Sequence, residues 1–279
     1  MIKAVTIISI QLICVFTDLQ APDSPGPDTV TVPSGQLVLK ALLWHPSGEG
    51  PFPGIVYCHG SYKDTEAIRD PTVGPLFAKK GYIFLFLFRR GVGLSKGQGL
   101  NSTDLMDEAL KDKGQEERNN VQLHLLDTDQ LQDMVAGIKF LNARNDVDQE
   151  RMAVVGASFG GALALLLAEH EPKLKAAVLF TPVGGPGHSW DRSHQLRMRL
   201  ITAAKNISAP IMIVYAQNDY SLAPGYALDS VMNQFNKPHF LKIYSSFGSS
   251  QNEAHKFVFL SPGTWEADVF TFLSKNLRR

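Results

Sequence analysis

Cysteine is scarce in this chain of 279 residues, which holds only Cys14 and Cys58. Two thiols cannot build a Cys-rich zinc site or a disulfide framework. Neither a metal nor another cofactor is expected. Net charge is lacking as well: Lys and Arg number 27, and so do Asp and Glu. No bulk attraction for nucleic acid or an anionic membrane follows from that balance. Repeats and low-complexity blocks are absent. So is an apolar run of bilayer length. The run from Ala4 to Phe16, behind Lys3, covers about 13 residues where a span needs about 20. It suits the h-region of an export signal. Residues 1–21 are therefore expected to be a signal peptide, with Leu19 where a small residue is preferred before a cut after Ala21. The product is then exported, periplasmic or secreted, with no stable membrane insertion. Were the segment retained, the protein is expected in the cytoplasm. The sequence gives no sign of an oligomeric state.

What is present is an ordinary globular composition, 44% hydrophobic and 19% charged. A single domain over residues 22–279 can bury roughly three-quarters of its extended surface. Strand and helix signals alternate along it. Strands are expected at 30–33, 36–44, 54–58, 82–88, 151–155, 176–180, 211–215 and 239–244. Helices are expected at 72–80, 125–141, 160–169 and 265–277. Residues 82–88 form a continuous apolar run, as in a strand buried on both faces. This alternation predicts an α/β fold with a mostly parallel sheet and helices on both faces. Two stretches fit it poorly, 100–120 and 181–204. Both follow strands, on the side where open α/β sheets bind ligands, and both are expected to act as short lid-like insertions.

The most informative segment runs Gly156-Ala157-Ser158-Phe159-Gly160-Gly161, between a strand signal and an apolar helix. A nucleophile that projects from a sheet edge needs a sharp strand-to-helix turn, and flanking glycines remove Cβ clashes there. The helix N-terminus then favours developing negative charge. The same glycines resemble part of a dinucleotide-binding loop. That loop should open the first βαβ unit and carry an acid at the tip of the next strand, whereas here the motif lies mid-chain.

Serine needs a base, and the base an orienting carboxylate. After such a turn the expected order is Ser, Asp or Glu, then His. His170 ends the helix that Ser158 begins, about 18 Å away, and is too far. His255 lies in a polar loop before the last helix and is the expected base, with His239 as second choice. Asp219 follows the strand 211–215 and is the expected acid, with Asp191 and Asp229 as alternatives. A protonated imidazole cannot accept the serine proton, so activity is expected to fall as the medium is acidified.

The Phe159 N–H, next to the nucleophile, is one expected oxyanion donor. The second is expected from the loop Cys58-His59-Gly60-Ser61-Tyr62, from Ser61 or, as second choice, Tyr62. His59 is expected to shape that loop. Arg89 and Arg90 follow the apolar run. They either tie loop carboxylates and carbonyls together or clamp an acidic substrate group. Trp190 either lines the acyl pocket or packs in the lid.

Taken together, Pro53-Gly54-Ile55-Val56-Tyr57-Cys58-His59-Gly60-Ser61, the Ser158 segment, Asn218-Asp219 and Ala254-His255-Lys256-Phe257 make residues 30–279 resemble an α/β-hydrolase. They are similar to the dienelactone-hydrolase and prolyl-oligopeptidase-like serine hydrolases. The resemblance implies Ser158 as nucleophile, Asp219 as acid and His255 as base. Dienelactone hydrolases proper use a cysteine nucleophile, so their substrate is not carried over. A serine hydrolase of a small ester or related acyl substrate is expected. A small peptidase or amidase with the same residues is the alternative. A non-catalytic binding protein on the same scaffold is the alternative of another class.

Overall fold

The computed structural model describes residues 26–61, 72–183, 185 and 189–278; residues 1–21, read above as an export signal, lie outside them. Eight strands occur among the described residues: β1 (Asp28–Ser34), β2 (Leu37–Trp44), β3 (Phe52–Cys58), β4 (Ile83–Phe88), β5 (Val147–Ala157), β6 (Ala176–Phe180), β7 (Ile211–Ala216) and β8 (His239–Tyr244). They form one sheet in the order β1-β2-β4-β3-β5-β6-β7-β8. β2 is antiparallel to both its neighbours, and β4, β3, β5, β6, β7 and β8 run parallel. The α/β fold read from the sequence is the one observed.

The helices are α1 (Gly74–Lys79), α2 (Ser102–Lys113), α3 (Gln115–Asp127), α4 (Asp129–Asn142), α5 (Phe159–His170), α6 (Ser189–Arg192), α7 (His194–Asn206), α8 (Ala223–Gln234), α9 (Gln251–His255), α10 (Phe257–Leu260) and α11 (Pro262–Asn276). Strand pleating sorts side chains between the two faces. In β4 the leucines 85 and 87 join one core with residues of α4, α5, α7 and α8. Its phenylalanines 84, 86 and 88 join the other, with residues of α1, α10 and α11. The second core is an aromatic stack: Phe77 lies 4.7 Å from Phe84, and Trp265 5.0 Å from Phe180, centroid to centroid. α5 is buried from Phe159 to Ala168, which explains its apolar sequence all round.

Two expectations are corrected. The periodicity over 125–141 predicts one helix, but the chain breaks at Thr128, with φ −127° and ψ −97°. The Thr128 hydroxyl turns back to donate to the His124 carbonyl at 2.6 Å, competing with the helical ladder. Residues 249–254 read as a polar loop, but α9 begins there. Ser250 and Glu253 form a capping box at its start, which satisfies two orphan donors. The stretches 100–120 and 181–204 become α2 and the start of α3, and α6 and α7. These two pairs are tied together: Asn119 Nδ2 donates to the Arg192 carbonyl at 2.8 Å, and Arg199 bridges Asp127 and Glu169 at 2.7 Å each.

The carboxyl end of β4 is anchored by Asp133 on α4. This carboxylate is fully buried. It accepts from the Ser34 hydroxyl at 2.7 Å, from the Arg90 N–H at 2.9 Å, and from Arg90 Nε and Nη2 at 3.0 and 2.8 Å. One side chain thereby joins β1, β4 and α4. Removing one partner from a buried charged network strands the others without compensation. Asp133→Ala is expected to lower stability by about 3–5 kcal/mol. Asp129→Ala removes the second, half-exposed partner of Arg90 and is expected to cost about 1 kcal/mol or less. Urea unfolding of the two variants checks the contrast.

Candidate active site

Ser158 stands between β5 and α5 with φ 56° and ψ −120°, backbone space that a serine rarely occupies. Neighbouring main chain fixes it there. The Ser158 N–H donates to the Phe180 carbonyl at 2.9 Å, and the Ser158 carbonyl accepts from Gly161 at 2.9 Å and Val183 at 3.3 Å. A Cβ on Gly160 would overlap the Cys58 and His59 carbonyl oxygens, and one on Gly156 the Gly160 carbonyl. The turn therefore packs directly on the loop after β3, and no side chain fits between them.

The acid and the imidazole reach this turn from two other strand ends. Asp219 follows β7; its side chain is fully buried, and Oδ1 accepts from the Tyr220 N–H at 2.7 Å. His255 ends α9. Its Nδ1 lies 2.8 Å from Asp219 Oδ1, and its Nε2 2.9 Å from Ser158 Oγ. A carboxylate accepts only, so Nδ1 carries the proton and Nε2 is free to accept from the hydroxyl. Asn218 ties the two supporting loops together: Nδ2 donates to the Phe247 carbonyl at 3.0 Å, and Oδ1 accepts from the Phe247 N–H at 2.8 Å. This clamp was not read from the sequence. Asn218 entered there only as the neighbour of the expected acid Asp219.

Of the expected oxyanion donors, Phe159 begins α5, so its N–H has no acceptor within the helix. Ser61 is exposed at the end of the loop after β3, and Tyr62 lies outside the described residues. His59 is fully buried; burial first, then the Arg89 charge, hold it well below the usual imidazole range. It stays neutral and structural. The alternatives for the acid and base are engaged elsewhere. His239 Nε2 lies 3.1 Å from Asp229 Oδ1, at the amino end of β8, and Asp191 is exposed on α6.

Of the two readings of the arginines, burial and partners favour the structural one over the substrate clamp. Arg89 is 0% exposed, so its side chain cannot reach a bound group, and it donates instead to the Gly60 carbonyl at 2.9 Å. Arg90 is committed to Asp133 and Asp129. Both arginines thus follow the structural reading. Trp190 is buried with the core residues around α7, which is the packing reading. The closeness of Gly185 was not foreseen: a Cβ there would lie 3.3 Å from His255 Nε2 and 3.4 Å from Ser158 Oγ. Tyr215 helps hold the start of that loop by donating its hydroxyl to the Pro182 carbonyl at 2.9 Å. Among the described residues no three His, Cys, Asp or Glu side chains converge as metal ligands, and no helix is long and apolar enough to cross a membrane. A shallow groove of about 590 Å³ opens at the amino ends of β3 and β4, beside Tyr82 and Arg151. It includes none of these site residues.

A family model described as the dienelactone hydrolase family matches residues 39–259. The chain is 26% identical over 157 residues to the quorum-quenching protein AidA of Acinetobacter baumannii, covering 56% of this chain and 44% of that one. It is 23% identical over 244 residues to the uncharacterized peptidase YtmA of Bacillus subtilis, covering 78% of this chain and 84% of that one. An acylaminoacyl peptidase structure from Pyrococcus horikoshii superposes with a TM-score of 0.67 at 17% identity, covering 92% of this chain and 42% of that one. The chain therefore spans less than half the length of AidA and of the acylaminoacyl peptidase.

The Cys58 carbonyl borders Gly160 at the serine turn, which directs attention to the side chain of the same residue. Its thiol is buried and free at the end of β3, and burial, partly offset by Arg89, pushes it up to about 12. The thiolate is the reactive form, so this sulfur is inert near neutral pH. The unfolded chain releases this proton near pH 8.5 while the folded chain keeps it. The contribution of Cys58 to stability is full below pH 8.5 and is lost as pH rises towards 12. Wild type is therefore expected to lose about 1 kcal/mol more stability than Cys58→Ala between pH 8.5 and 9.5, as urea unfolding of both proteins would measure.

Proposed function

The chain belongs to the dienelactone hydrolase family, and from that premise we propose that it is a serine hydrolase acting on a small ester or related acyl substrate. One observation carries the reading: the unbroken line Asp219–His255–Ser158, with contacts of 2.8 and 2.9 Å, at the carboxyl ends of parallel strands. His255 Nε2 takes the Ser158 proton as Oγ attacks the substrate carbonyl. The Phe159 and Ser61 N–H groups receive the oxyanion. As the intermediate collapses, His255 gives its proton to the leaving group and the acyl group stays on Oγ. Water then attacks the acyl-enzyme; His255 takes the water proton and returns it to Ser158. Asp219 keeps Nδ1 protonated throughout and stabilises the imidazolium. Gly185 borders the reacting atoms and contributes to one wall of the acyl site.

A second reading, a small peptidase or amidase using the same residues, is favoured by the peptidase names of YtmA and the Pyrococcus structure. The chemistry is common to both, and only the leaving group differs.

A fluorophosphonate probe is expected to label wild type and to leave Ser158→Ala unlabelled; a wild type that stays unlabelled points to a binding protein on a hydrolase scaffold. Asp219→Asn is expected to lower kcat by about 10³–10⁴-fold, because an amide presents the wrong tautomer to His255. In a panel of p-nitrophenyl esters of increasing chain length beside aminoacyl and prolyl anilides, kcat/KM is expected to favour the esters. Faster turnover of the anilides establishes the peptidase reading instead.

A further inference from the structure

Arg89 poses a question the reaction above leaves open. Its guanidinium is fully buried, yet no carboxylate among the described residues pairs with it, and Nε and Nη1 have no hydrogen-bond partner among them. Asp133, whose charge it feels, is committed to Arg90. Burial pulls Arg89 down to about 10, so it stays charged at neutral pH. A buried, uncompensated charge is costly. What it touches is specific. Nη2 donates to the Gly60 carbonyl at 2.9 Å, and the guanidinium lies 5.1 Å from the centre of the Phe159 ring.

His59 completes the arrangement. The Arg89 main-chain N–H donates to His59 Nε2 at 3.2 Å, so in the neutral ring the proton sits on Nδ1. Nδ1 then donates to the same Gly60 carbonyl at 2.8 Å. The 3.1 Å approach of Arg89 Nη2 to His59 Nδ1 is thus two donors sharing one acceptor. The Gly60 carbonyl belongs to the peptide unit whose N–H is that of Ser61.

We infer that Arg89 is a positioning residue of the oxyanion site: it holds the Gly60–Ser61 peptide by its carbonyl and sets a buried positive charge behind both Phe159 and Ser61. This rests on the hydrolase reading proposed above. Two donors converging on one carbonyl polarise the peptide and strengthen its N–H on the opposite side. The charge adds a favourable field where negative charge develops, and low dielectric magnifies that field. A carboxylate partner would cancel it, and none is paired with it among the described residues.

The test compares Arg89→Gln, Arg89→Met and Arg89→Lys with wild type. The readouts are turnover of p-nitrophenyl acetate and inhibition by an aliphatic trifluoromethyl ketone, whose serine adduct carries an oxyanion. Far-UV circular dichroism and cooperative thermal unfolding establish that each variant is folded. Absence of esterase activity in wild type would fail the hydrolase reading itself and is established first. Arg89→Met is expected to lose roughly 10²-fold in kcat, the range for removal of one oxyanion donor, with KM within about threefold. Affinity for the ketone should fall by the same factor. Arg89→Gln, which lacks the charge but can still donate to Gly60, should lose about tenfold in both, and Arg89→Lys should recover part of that loss. A folded Gln or Met variant within about threefold of wild type overturns the proposal. So does a loss of kcat unmatched by loss of ketone affinity, or a Lys variant no better than Gln. Should Arg89→Met not fold, the Gln and Lys pair decides by the same criteria.

Discussion

The main-chain turn at Ser158 is the constraint on which the rest of the site depends. A serine at φ 56° is unfavourable on its own and persists because its surroundings over-determine it. The bonds to Phe180, Gly161 and Val183 come from the end of β6, the first turn of α5 and the loop beyond β6. Close packing of Gly160 on the Cys58 and His59 carbonyls brings in the end of β3. Three segments distant in sequence, the turn itself, the end of β6 and the end of β3, thus meet within one turn of backbone. They can do so only because residues 156 and 160 have no side chain. Strain at residue 158 and the reach of its hydroxyl are consequences of the same packing.

The other two members of the polar line depend on the parallel sheet more than on local geometry. β7 delivers Asp219 and β8 leads to α9 and His255, and both strands point the same way as β5. The two loops are long enough to wander, however, and parallel strands alone do not bring an imidazole to a carboxylate. The reciprocal Asn218–Phe247 bonds and the Ser250–Glu253 capping box restrict those loops. With both in place, His255 has few orientations left, and the proton on Nδ1 follows from the carboxylate it faces.

Much of this was legible from residue order. Apolar runs and their spacing located all eight strands to within a few residues, because strands buried on both faces carry an unmistakable signal. Ser158, Asp219 and His255 could be nominated because each follows a strand signal in the order such a turn requires. Other features lay beyond reach for definable reasons. The break at Thr128 depends on a hydroxyl choosing the His124 carbonyl, where helical periodicity runs on unchanged. α3 carries almost no apolar periodicity, because its buried positions include the polar Asn119 and Gln122. Gly185 approaches the serine through tertiary packing, and a glycine-rich loop gives no hint of what it will approach.

The adjacent arginines show most clearly where residue type stops being informative. Arg89 and Arg90 look equivalent as letters, and either could have served as an anion clamp. Both lie just past the end of β4, where strand alternation no longer decides which way a side chain turns and the partners within reach do. Arg90 emerges beside α4, where Asp133 and Asp129 neutralise it, and its charge is spent on fastening the sheet edge. Arg89 turns back against Gly60 and the Phe159 ring, with no carboxylate paired to it among the described residues. Specific recognition by an arginine requires access, and burial denies it to Arg89. What remains to a buried guanidinium with no carboxylate partner among the described residues is its field and its grip on main-chain oxygen. Both act on the loop that faces Ser158, so the same positive charge that fails as a substrate ligand is well placed as part of the electrostatic floor of the site.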